Sequence, residues 1–240
     1  MLDLRPVRAF LDSEHEAWAC TAAKFASAEL ARRPEPVDDD AGRIEARDVL
    51  SAMGAAGLLD PIGTLDLRAC CLAREAIAAA SPLADAVWAL QGLGITPLLL
   101  AGSDRLREQW APGALAGEIM SAFAMTEPDA GSDVASMKTR AVRDGDDYVL
   151  DGHKWLISNA GIADYYVVFA STDPEAGSRG ISAFLVPAET EGLTFAGAQV
   201  MSAPHPLGEL QLTGCRVSAT NRIGEGGRGF RLGMATLDQL

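Results

Sequence analysis

The sequence predicts an α+β protein, helical in its first half and built on a mostly antiparallel sheet in its second. Three observations predict it. Alanine and leucine recur at helical spacing up to about residue 118. From there to about 224 the pattern turns to period two and to β-forming residues, and over 227–240 it returns to helical spacing. The expected division is a helical domain over 1–118, a β-domain of barrel-like or sandwich form over 119–224, and the start of another helical domain over 225–240.

Taken in order, helices are expected over 7–31, 44–58, 64–80 and 82–101, broken by "RRPEPVDDDAG" and "LLDPIGT". Asp104 is placed to cap a short helix, "RLREQWAPGAL". Residues 119–126, "IMSAFAMT", read as the first strand. Further strands follow at 140–150 around a "DGDD" turn, 165–171 ("YYVVFAS"), 180–187, 193–200 and 208–217. From 229 onward "GFRLGMATLDQL" reads as a helix, with Phe230, Leu232, Met234 and Leu237 apolar and no C-cap. The chain is therefore expected to stop inside a domain.

Composition narrows the functions. A net charge of −13 opposes a broad surface attraction for polyanions, so a nucleic acid partner is not expected. Cysteines at 20, 70, 71 and 215 show neither metal-ligand spacing nor a disulfide framework, which fits a reduced, cytoplasmic protein without a metal site. The N-terminus carries acids among its apolar residues, unlike a signal peptide. Residues 86–103 lack charge, but Gln91, Gly92, Gly94 and Pro97 interrupt them, so buried helix rather than a membrane span is expected.

The chemistry concentrates in "AFAMTEPDAGSDVASMKT", residues 122–139. If 119–126 is a strand, Thr126 ends it with a hydroxyl and backbone N–H groups able to face a planar polar ring. Gly131 and Ser132 in the turn are small enough for backbone donors to approach a phosphate. Both features suit a nucleotide-like cofactor. The same residues also suit a plain Pro-Asp-Gly turn with a solvated acidic tip.

A second segment, "DGHKWLISNAGIADYYVVFAST", places Ser158 and Asn159 at the end of another strand. Together the two segments resemble the flavin-binding signatures of the acyl-CoA dehydrogenase family, Ala-aromatic-Ala-Leu/Met-Thr/Ser-Glu-Pro-x-Ala-Gly-Ser-Asp followed by Gly-x-Lys-x-x-Ile-Thr/Ser-Asn. "GSRGISAFLVPAETEGL" and "RIGEGGRGFRLGMATLD" resemble that family's later strand pair and the entry to its C-terminal helices, and "MSAPHPLGEL" resembles a stretch of one of its branches, expected beside the CoA channel.

The resemblance implies an N-terminal helical domain, a β-domain and a C-terminal four-helix domain that is largely absent from these 240 residues. It implies FAD as cofactor and conversion of an acyl-CoA to a 2-enoyl-CoA, with hydride leaving the β-carbon while a carboxylate removes the α-proton. Carried over by position, Thr126 would bind the pyrimidine edge of the flavin, with Phe123 and Met125 along the same strand. Gly131 and Ser132 would meet the pyrophosphate, Ser132 would also meet CoA, and Ser158 would bond near N5 and O4. Arg179 and Asp238 are further CoA candidates.

One position departs from the family pattern: Leu156 stands where a flavin-stacking tryptophan is common, and the tryptophan is Trp155. By strand alternation Leu156 and Ser158 should face the ring and Trp155 the core behind it. His15, His153 and His205 read as surface or structural histidines, Glu127 as structural rather than as half of a carboxylate pair with Asp129, and "GEGGRGF" as a hinge. No match to the family's catalytic base is present. The expected function is one half of a split or heteromeric dehydrogenase, working with an electron-transfer acceptor in a homo- or hetero-oligomer. The alternative is a noncatalytic subunit that binds flavin or a partner.

Overall fold

The computed structural model describes residues 3–203 and 205–239, so residue 240 of the expected last helix and Pro204 of the 201–210 segment lie outside them. Six helices come first: α1 (Ser13–Ala28), α2 (Asp39–Ala55), α3 (Asp60–Thr64), α4 (Leu67–Ala78), α5 (Pro82–Ala101) and α6 (Asp104–Leu115). Eight strands follow: β1 (Ser121–Ala124), β2 (Arg140–Asp144), β3 (Asp147–Ser158), β4 (Tyr165–Ser171), β5 (Ile181–Pro187), β6 (Leu193–Ala198), β7 (Leu207–Ser218) and β8 (Arg222–Ile223). A last helix, α7 (Gly229–Leu237), closes the described chain.

Local chemistry moves three of the expected boundaries. The acidic run at 38–40 is the start of α2 rather than part of a break, because the Asp38 carboxylate caps it by accepting from the Ala41 N–H at 2.8 Å. "LLDPIGT" is not a plain break but holds α3, with Pro61 in its first turn, where the missing N–H costs nothing. Ser103, not Asp104, caps α6, its hydroxyl accepting from the Leu106 N–H.

The strands form one sheet in the order β6-β7-β3-β2-β4-β5-β8, with β1 beside β4. Most neighbours are antiparallel, but β1 runs parallel to β4, with Ser121 opposite Tyr165. β2 meets β4 only at Arg140 and Ser171, also in parallel. The sheet thus narrows at that junction to a single residue pair, and the second half is a mixed sheet following a helical first half.

Helices and sheet share their interior. One buried cluster joins Met53 and Trp88 from the helices, and Leu58 from the turn between α2 and α3, to Ala122, Leu150, Val168 and Phe184 from the sheet. Among the described residues α5 is the one helix long and apolar enough to cross a membrane, and 67% of that apolar window is buried inside the fold. Its apolar surface belongs to the core.

Two polar details of α5 set where β1 begins. Gln91, fully buried, donates to the carbonyls of Ala114 and Ile119 at 2.9 and 2.7 Å and accepts from the Ser121 N–H at 2.9 Å. A side chain at Gly94 would strike the Ser121 hydroxyl at 2.2 Å, so only glycine lets helix and strand approach this closely. Arg47 of α2 adds an ion pair to Asp164 at 2.8 Å, and the same carboxylate accepts from the Met120 N–H at 2.6 Å. The helical half thus fixes the entries to both β1 and β4.

Candidate functional site

β1 stops at Ala124, two residues short of Thr126, and Thr126 is held by a buried ion pair around it together with one backbone bond from β3. Lys154 of β3 is completely buried and donates to the Met125 carbonyl at 3.2 Å and to Glu127 Oε1 at 2.7 Å. It therefore grips the residues on both sides of Thr126, whose own carbonyl accepts from the Trp155 N–H at 2.9 Å. Glu127 also accepts from the N–H groups of Thr139 at 3.1 Å and Lys138 at 2.6 Å, and its backbone closes the turn on Ala130 with two bonds of 3.1 Å.

Burial raises the cost of both charges, and the pair offsets it. Burial pulls the Lys154 ammonium down to about 8, although the Glu127 carboxylate opposes the shift. For Glu127 burial pushes upward, but the Lys154 charge and the hydrogen bonds prevail and hold its carboxyl below the usual range. Glu127 is thus ionised and fully engaged, a structural group. The sequence motif contained Lys154 without giving it a role.

Past Glu127 the turn opens. Gly131, Ser132 and Asp133 are exposed, and their N–H groups carry no protein hydrogen bond among the described residues. A side chain at Gly131 would meet nothing within 4 Å. Here glycine leaves room beside free backbone donors.

These residues line one cleft of about 460 Å³, within the usual range for small-ligand sites, roughly 300–1,000 Å³. Phe123, Met125, Thr126, Gly131, Ser132, Leu156 and Ser158, singled out from two separate segments, all lie on its wall. α5 adds Leu90 and Leu93, and α7 adds Phe230, Met234 and Leu237. The walls are apolar, and the hydroxyls of Thr126 and Ser132 have no protein partner among the described residues. No lysine or arginine lines the cleft, so an anionic group at its rim falls to Ser132 and the free N–H groups nearby.

Leu156 and Ser158 reach the cleft for a reason that simple alternation misses. β3 pairs with β7 through Lys154 opposite Leu210 and Ile157 opposite Gly208, so Trp155 and Leu156 together face one residue in a bulge. Leu156 takes a left-handed backbone, φ 55°, donates its N–H to Gln199 Oε1 at 3.1 Å and is 50% exposed. Trp155 is outside the cleft wall, as expected, but it is not core: it is half-buried, edge-on to the His153 ring.

Two of the CoA candidates lie elsewhere. Arg179 lies exposed at the end of the turn over 174–180, beside the Gly227 backbone, and Asp238 is exposed at the end of α7; neither lines the cleft. His15 and His153 have structural partners, Asp66 at 3.0 Å and Glu209 at 2.8 Å. His205 was read the same way, yet its Nε2 lies 2.8 Å from the Ser158 hydroxyl of the cleft wall.

The fold and site define a class: a helical module and a β-module meeting at an apolar cleft rimmed with free hydroxyls and backbone donors. Family models for the acyl-CoA dehydrogenase N-terminal domain and middle domain match residues 12–118 and 122–215. The chain belongs to the acyl-CoA dehydrogenase family. It is 36% identical over 237 residues to the probable acyl-CoA dehydrogenase fadE25 of Mycobacterium leprae, covering 95% of this chain and 60% of that one. Butyryl-CoA dehydrogenase from Megasphaera elsdenii superposes with a TM-score of 0.85 at 26% identity, over 95% of this chain and 63% of that one. The structure of PigA with FAD and proline does so with a TM-score of 0.82 at 26% identity, over 95% and 62%. The chain thus spans about 60% of the length of the relatives it matches.

Proposed function

We propose that this chain supplies the flavin-facing wall of an FAD-dependent acyl-CoA dehydrogenase, acting on an acyl-CoA thioester to give a 2-enoyl-CoA. The observation that carries the reading is the convergence of Phe123, Met125, Thr126, Gly131, Ser132, Leu156 and Ser158 on one cleft, with the Thr126 and Ser132 hydroxyls and the Gly131 and Ser132 N–H groups left without a protein partner among the described residues. FAD, when bound there, supplies a two-electron acceptor for hydride from the acyl β-carbon. PigA with FAD and proline has the same fold, which supports the choice of cofactor.

Each residue then has a defined task. Thr126, held by the Lys154 clamp, presents its hydroxyl to the polar edge of the ring without reorganising, and so favours charge that develops there. Ser158 presents its hydroxyl to the opposite part of the same edge. Phe123, Met125 and Leu156 exclude water from the ring face. Gly131 and Ser132 offer N–H groups to phosphate, and Ser132 also reaches towards CoA. Arg179 and Asp238 could serve CoA only outside the cleft. The division into 1–118, 119–224 and 225–240 follows the same reading.

The α-proton needs a carboxylate in reach. Glu127 is locked to Lys154, and the one carboxylate on the cleft wall, Asp133, accepts from the Ser136 hydroxyl at the exposed rim. The base therefore comes from outside the described residues. We place it on a C-terminal helical domain, carried by a further segment or by a second chain in a split or heteromeric oligomer, with a separate electron-transfer acceptor reoxidising the flavin. That Asp133 is the only carboxylate on the wall also favours a second reading, a noncatalytic flavin- or partner-binding subunit.

The test is to add FAD, a series of acyl-CoAs and an electron acceptor to the purified chain, with and without a C-terminal helical chain. A perturbed visible flavin spectrum is expected from the chain alone, with enoyl-CoA formed only in the presence of the complement. Absence of flavin binding would sink the proposal. Turnover by the chain alone would relocate the base to it, and bound flavin without turnover in the complemented mixture would favour the noncatalytic reading.

A further inference from the structure

His205 belongs to no element and is half-buried between β6 and β7, yet the backbone straps it to the cleft wall. The Pro206 carbonyl accepts from the Asn159 N–H at 2.7 Å, next to Ser158. The Leu207 carbonyl accepts from Arg43 Nη2 at 2.7 Å and from the Gln199 N–H at 2.9 Å. Arg43 also donates to the Ala160 carbonyl at 2.6 Å, so one buried guanidinium fixes the turn after Ser158 and the start of β7 together. Asn159, at φ 61°, donates from its side-chain amide to the Ser121 carbonyl at 2.9 Å, tying the same turn to β1. Pro206, next in the chain, disfavours the helical region for the backbone that carries the His205 ring. The imidazole and the Ser158 hydroxyl are thus held in register from several directions.

We infer that His205 is a positioning residue that acts through Ser158: its Nε2 occupies one hydrogen-bonding direction of the hydroxyl, so that the remaining direction is aimed at the ring bound in the cleft. The inference rests on the flavin reading above. With the proton on Nδ1, Nε2 accepts from the hydroxyl and Ser158 offers the cleft a lone pair. With the proton on Nε2, the imidazole donates, and Ser158 offers the cleft its own O–H. A ring that changes between acceptor and donor at its nitrogen on reduction can be matched in either state. Burial keeps the His205 pKa below its ordinary value, so the ring is neutral near pH 7 and both tautomers are accessible.

The test is a double-variant cycle on the full chain, reading FAD affinity by fluorescence quenching and the midpoint potential of the bound flavin, with thermal melting as a fold control. His205→Phe is expected to weaken FAD binding by about twofold to tenfold, the net worth of one hydrogen bond, and to shift the potential. In a Ser158→Ala background the same change is expected to do neither. His205→Gln, whose amide reaches the position of Nε2, should restore both readouts. If His205→Phe has the same effect with and without Ser158, the residue supports the loop rather than the hydroxyl and the inference fails, as it does if Gln does not rescue. If the unaltered chain binds no FAD, the flavin reading falls and this inference with it, an outcome distinct from the other two.

Discussion

The two ends of the turn that follows β1 contrast in every physical respect. At one end Glu127 is 5% exposed, with both carboxylate oxygens bonded to Lys154 and to two backbone N–H groups. At the other, five residues on, Ser132 is exposed with a hydroxyl and an N–H that no protein group uses among the described residues. A saturated buried group contributes to folding, and an unsaturated exposed one is available to a ligand. The difference teaches that the motif is half scaffold and half site.

The contrast should break most severely at the buried end. Lys154→Met leaves Glu127 ionised in the interior without its counter-charge, which costs on the order of 3–5 kcal/mol of stability in chemical denaturation. Adding Glu127→Gln should recover part of that loss. A loss below about 1 kcal/mol would mean the pair is more hydrated than its burial implies.

At the open end the expected effect falls on binding and not on folding. Thr126→Ala should leave the melting temperature nearly unchanged and weaken FAD retention by on the order of 1–3 kcal/mol, since its partner is buried and partly charged. Trp155→Leu, outside the cleft wall, should leave FAD bound. Bleaching by the tryptophan change and not by the threonine change would reverse the assignment of faces.

Acid titration separates the two ends more gently. The folded state holds the Glu127 carboxyl below its ordinary 4.5, so its contribution is complete above that pH and is lost as pH falls through the lowered value. Stability measured from pH 6 down to pH 3 should therefore decline less in Glu127→Gln than in the unaltered chain. Equal slopes would remove Glu127 from the acid limb.

The smallest expected effect is at the bulge. Leu156→Gly relieves a left-handed leucine and should raise stability by about 1 kcal/mol or less while loosening FAD binding, because a cleft wall is lost. A fall in both would mean that Leu156 packs more than its 50% exposure suggests.

Much of this was legible in order of residues. The switch from period 3.6 to period two placed most of the helices and strands, though α1 and α2 begin five or six residues from where they were expected and the short α3 and β8 were not expected. The cleft residues were found from two motifs, Thr126 and Ser132 in one and Ser158 in the other. Missed were partners distant in sequence: Lys154 for Glu127, His205 for Ser158 and Gln91 for Ser121. Arg179 and Asp238, expected at CoA rather than at the ring, lie outside this cleft.

The sequence by itself determined the fold class, the family and seven of the wall residues, since periodicity and short motifs are local properties of the chain. Only the tertiary structure decided which charges pair and which way side chains turn. The Glu127–Lys154 contact spans 27 positions, and the bulge at Leu156 follows from how β3 must register against β7. Neither has a local signature, because a buried ion pair and a strand register are set by whatever the rest of the fold brings opposite them.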